Sequence, residues 1–92
     1  MFHQTEAKAQ CWRAVAVLEN GVEALVFVGR SSTQVRDNYL ESYLELFDED
    51  ERAQVESIGM QRWHGTPDAG RWMHQSELKL PVTKGKLARV AA

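Results

Sequence analysis

Two tryptophans, a histidine and an arginine bracket one short loop: Trp63-His64, then Gly65-Thr66-Pro67-Asp68-Ala69-Gly70, then Arg71-Trp72. If the loop joins two paired strands, these side chains are brought close together. Aromatic walls with a guanidinium and an imidazole nearby suit a small anionic or planar ligand, held by stacking and charge-assisted hydrogen bonds. Arg36 joins the set as a cation whose head can snorkel from its helix to solvent or to a ligand. A plainer account is that Gly, Pro and Asp form a hairpin loop and the tryptophans pack the sheet edge.

His64, Asp68 and His74 have the residue types for acid-base chemistry or for an imidazole-carboxylate metal site. Their spacing matches no compact ligand motif such as H-E-x-x-H, so no metal and no cofactor are expected. Cys11 is the only cysteine. Without a readable base partner it is expected to be a half-buried strand residue and not a nucleophile. One cysteine also excludes an intrachain disulfide and a CxxC pair. The acids between Glu41 and Glu56 lack the order of a calcium loop and read as helix caps and a solvated face. Gly29-Arg30-Ser31-Ser32 has the form of a strand-to-helix anion site, which Arg30 and Arg36 would flank, but neither a Walker nor a G-x-G-x-x-G pattern is present. A plain capped helix accounts for it, and no catalytic residue is assigned.

The elements that position these residues follow from local patterns. Residues 11–18 and 22–28 are rich in valine, leucine and aromatics, with Asn20-Gly21 between them, which points to a hairpin through a type I′ turn. That turn would place Glu19 opposite Val22, Val17 opposite Ala24, Val15 opposite Val26 and Ala14 opposite Phe27. One face then carries Trp12, Ala14, Ala16, Leu18, Leu25 and Phe27, and the other Val15, Val17, Ala24, Val26 and Val28. Both faces are apolar, so both need cover.

Ser31-x-x-Gln34 has the form of a capping box and starts a helix. Val35, Tyr39, Leu40, Tyr43, Leu44, Leu46 and Phe47 cover about half of its wheel. Asp48 and the acids after it mark a second N-cap, giving a kinked continuation or a short second helix that ends near Ser57. Strands follow at 58–64 and at 72–80, the latter with Trp72, His74, Ser76, Leu78 and Leu80 on one face. The resulting fold is α+β, ββαββ: a four-stranded antiparallel sheet with one helical segment packed on one face.

One helical layer can cover one side of the hairpin. A symmetric partner meeting Val15, Val17, Ala24, Val26 and Val28 is the expected remedy, so a homodimer is predicted. The alternative is that residues 82–92 or the N-terminal ten fold over that side. Ninety-two residues fit a single domain, 1–92, with 1–9 and 82–92 as flexible or docked termini. A net charge of -2 argues against a dedicated nucleic-acid binder, and no apolar run approaches the length of a membrane span. The opening Met1–Glu6 lacks a signal-peptide pattern, so a cytoplasmic location is expected.

Trp12, the Asn20-Gly21 hairpin, Gly29-Arg30-Ser31 and the stretch from Gly65 to Trp72 together give a chain that resembles the small uncharacterised bacterial proteins of mobile gene pools, such as integron cassettes. Such proteins have varied folds and mostly unassigned roles. The resemblance implies a bacterial accessory protein and transfers no catalytic residue. The expected function is therefore that of a non-enzymatic accessory or adaptor protein acting by self-association or protein binding. A small-molecule domain built on residues 63–74 is the alternative, and an enzyme using His64, Asp68 or His74 ranks third.

Overall fold

A computed structural model describes residues 11–66 and 68–81. The expectations placed on 1–9 and 82–92 lie outside the described residues. Strand β1 (Trp12–Leu18) pairs with β2 (Glu23–Gly29), and helix α1 (Ser32–Leu46) and the single turn α2 (Glu49–Arg52) lead to the long strands β3 (Val55–Thr66) and β4 (Ala69–Leu78). The sheet is antiparallel in the order β2-β1-β3-β4, so the helical connection carries the chain across β1 to its other side. The expected ββαββ architecture is the one observed. The last helical turn ends earlier than the sequence suggested: Val55 is the first residue of β3 and is buried in the core.

The first hairpin differs in its turn. Asn20 does not adopt the positive φ that a type I′ turn requires, whereas Gly21 has φ +84°. The Leu18 carbonyl accepts from Gly21 N–H at 2.9 Å, Leu18 N–H donates to the Val22 carbonyl at 2.9 Å, and Asn20 Oδ1 accepts from Val22 N–H at 3.0 Å. This is a Glu19-Asn20-Gly21 loop with the glycine in the left-handed region, the three-residue alternative to the two-residue turn. One extra loop residue shifts the register, so Val17 pairs with Glu23, Ala16 with Ala24 and Val15 with Leu25. A bulge at Val26 restores the expected register, and Ala14 pairs with Phe27.

Because side chains alternate with period two, that shift moves residues between faces. Ala24 and Val26, expected beside Val15 and Val17, instead pack with Ala14 and Ala16 against the helix. The covered core joins these to Tyr39, Tyr43, Ile58 and Met60, with Val26, Tyr43 and Ile58 at 0% exposure. Val15, Val17 and Val28 stay on the open side, and Leu25, expected beside Ala14 and Ala16, joins them there opposite Val15.

Both helix starts are capped. Ser31 Oγ accepts from Gln34 N–H at 3.1 Å, while Gln34 Oε1 accepts from the Arg30 N–H at 2.6 Å, one residue ahead of the expected return contact. The Asp48 and Glu51 pair forms a full capping box. Arg52 then turns back and donates through Nη1 to the Phe47 carbonyl at 2.5 Å, placing a cation at the negative end of α1. The buried stripe of α1 is narrower than the apolar half-wheel: Val35, Tyr39, Tyr43 and Phe47 are enclosed, whereas Leu40, Leu44 and Leu46 are 41%, 48% and 41% exposed. No helix among the described residues is long and apolar enough to cross a membrane.

Candidate functional site

The tryptophans of the loop region are held by the β3–β4 hairpin. Trp63 pairs with Trp72, His64 with Arg71, Gly65 with Gly70 and Thr66 with Ala69, so the connection shrinks to residues 67–68. The stretch read as a loop is therefore mostly ladder. Gly65 sits at φ +119°, a region that disfavours any Cβ. At Gly70 a Cβ would meet the Trp63 indole and the His64 carbonyl. The Trp63 ring therefore lies across Gly70, and its Nε1–H donates to the Thr66 carbonyl at 2.8 Å. Its backbone N–H donates to the Cys11 carbonyl at 2.7 Å. Trp63, only 9% exposed, acts as the clamp of the hairpin tip.

Alternation then divides the expected ligand set. Trp63 and Trp72 project to the open side, and the residues next to them along each strand, His64 and Arg71, project to the other. Arg36 reaches a third place, donating through Nη2 to Ser76 Oγ at 3.3 Å. The expected common face of the last strand also breaks, because a bulge at Gln75 puts Trp72 and His74 on the open side and Ser76 and Leu78 on the helix side. His64 and His74 lie on opposite faces, and Asp68 is exposed beyond the strand ends. Among the described residues no group of three or more His, Cys, Asp or Glu side chains is placed to hold a metal ion.

The open side brings together a different group. Trp63 and Trp72 meet edge to face, with centroids 5.3 Å apart and planes at 70°. Arg13 stacks its guanidinium 4.1 Å from the Trp72 ring centre, and its Nε–H donates to Gln61 Oε1 at 2.8 Å. Burial lowers the affinity of Arg13 for its proton, and the charge of Glu23 acts the other way. Arg13, Val15, Glu23 and Leu25 line a cavity of about 160 Å³. His74 packs over Gly59 and approaches Glu77 at 3.6 Å.

Arg13 and Gln61 were passed over in the sequence. The signal was present, since Arg13 is the one charge inside the apolar run of β1, but its pairing with Trp72 crosses two strand neighbours and has no local mark. Chemically, this layer offers aromatic and aliphatic surface beside the half-buried Arg13. The space between the tryptophans is closed by their own contact. Comparison with protein-family models, with curated proteins and with solved structures finds no match to this chain.

Proposed function

We propose that the chain is a non-enzymatic accessory domain that works by self-association, two copies meeting across the open side of the sheet. The observation that carries this reading is the layering. No described helix or strand covers that side, yet it presents half-buried Val17, Leu25 and Trp72 beside the stacked Arg13. Val15 and Val28, at 4% and 5% exposure, are already enclosed within one subunit. The interface is thus centred on Leu25, Val17 and Trp72, away from Ala24 and Val26. Aromatic residues and arginine at the centre of a patch are the residue types that dominate association energetics.

Joining through a face also fits the state of the edges. The edge strand β2 is bulged at Val26, and the edge strand β4 is bulged at Gln75 and carries Arg71 and Glu77, devices that oppose edge-to-edge pairing. The small-molecule reading loses support because its residues are dispersed over two faces and a helix, and the enzyme reading because His64 and His74 do not share a face. The resemblance to accessory proteins of bacterial mobile gene pools agrees with the proposal in kind.

Sedimentation equilibrium tests it. The expected result is a dimer at high micromolar concentration that Leu25→Asp converts to a folded monomer. A monomeric wild-type chain at that concentration overturns the proposal.

A further inference from the structure

The outer flank of α1 combines two features that an isolated helix would avoid. Leu40 and Leu44, one turn apart, expose 41% and 48% of their surface. Beside them Asp37, Glu41 and Glu45 repeat at four-residue spacing, all exposed, and among the described residues no cation pairs with any of them. Like charges at that spacing destabilise a helix, and the usual arrangement places lysine or arginine one turn away. Next to the leucines, the helix and the segment after β4 border a groove of about 400 Å³ lined by Tyr39, Leu40, Lys79, Leu80 and Pro81. Its wall is held in place by the Tyr39 hydroxyl, which donates to the Lys79 carbonyl at 2.6 Å.

We propose that this flank docks a cationic amphipathic helix of a partner protein, whose apolar face covers Leu40, Leu44 and Leu80 and whose lysines or arginines meet Asp37, Glu41 and Glu45. The arrangement matches an interface with an apolar centre and a charged rim, and the charge complementarity is directional. Lys79 stands on the wall facing α1, so the partner's cations lie on the α1 side of the groove and its neutral or acidic residues on the Lys79 side. This surface lies on the helix side of the molecule, opposite the open side of the sheet, and does not depend on the self-association proposed above.

Fluorescence anisotropy tests the proposal, using a labelled synthetic Leu/Lys helix of about four turns with its leucines on one face. Leu44→Ser and the pair Glu41→Lys with Glu45→Lys are each expected to weaken binding about tenfold or more. A charge-matched control, Asp50→Lys with Glu56→Lys, is expected to change it less than about twofold, and circular dichroism verifies that every variant is folded. Equal weakening by the control overturns the proposal, because the attraction is then merely of net charge. So does full binding by Leu44→Ser, or no binding by the wild-type chain. Conversion of a dimer to a monomer by Leu44→Ser would identify a second copy as the occupant and overturn it as well.

Discussion

The two sides of the sheet draw on similar residue types and solve the problem of cover in different ways. On the helix side β1 contributes small residues, Ala14 and Ala16, both at 0% exposure, and the space above them is filled by Tyr39 and Tyr43 from α1 and by Phe47, which caps it. On the open side the large residues belong to the sheet itself and lie across its glycines, Trp63 over Gly70 and His74 over Gly59, with Arg13 laid on Trp72. One side is completed by a second layer. The other is partly roofed by its own side chains and leaves Val17, Leu25 and Trp72 half-buried.

Truncation on the two sides gives the largest test of this contrast. Ile58→Ala, in the enclosed layer, is expected to lower the unfolding free energy by about 2–5 kcal/mol. Leu25→Ala, measured as a monomer at low concentration, is expected to cost less than about 1.5 kcal/mol, because a half-buried side chain leaves no closed cavity. Equal losses in urea titrations would erase the distinction.

The self-roofing of the open side is sharpened by Gly70→Ala. Its added methyl group would meet the His64 carbonyl and the Trp63 ring, so strand and indole must both shift, with an expected cost of about 1–3 kcal/mol and a loss of near-ultraviolet circular dichroism from the Trp63–Trp72 pair. An unchanged spectrum would mean that the ring does not depend on that glycine.

On the covered side, the Tyr43 hydroxyl is buried with no hydrogen-bond partner among the described residues. Tyr43→Phe is therefore expected to stabilise the fold by about 1 kcal/mol. Burial also raises the Tyr43 hydroxyl above its ordinary value of 10.0, and the charge of Arg52 opposes this. A group raised in the folded state contributes fully below its unfolded value and loses that contribution as pH climbs through the folded one. Wild-type stability should accordingly fall above the ordinary value of 10.0, and the difference between wild type and Tyr43→Phe should widen there. Parallel urea midpoints through the alkaline range would contradict this.

The smallest expected effect lies where β1 begins. Cys11 adopts φ +78°, a left-handed conformation that costs an L side chain about 1–2 kcal/mol. Cys11→Gly should remove that strain, gaining less than about 1 kcal/mol once the lost half-buried side chain is counted. A thermal midpoint below wild type would show that the thiol packs better than its backbone suggests.

Features that depend on near neighbours in the chain were legible. Ser31 with Gln34 and Asp48 with Glu51 mark helix starts because a cap is a contact across three residues. The paired apolar runs around Asn20-Gly21 and the strands flanking residues 65–70 were visible for the same reason. Less legible was the candidate site. Trp63 and Trp72 were found, but Arg13 was not, and His64, Arg71 and Arg36 were grouped with them although the pleat and a separate helix carry them elsewhere.

The amino-acid order by itself thus determined the element sequence, the caps and the antiparallel ββαββ plan, because hydrogen-bonding and apolar periodicity over a few residues specify them. Tertiary structure decided which side each residue serves. A single added residue in the first turn and the bulges at Val26 and Gln75 each invert the alternation of a strand. That inversion is settled by how well side chains pack against α1 and across the sheet, a competition no short stretch of sequence contains.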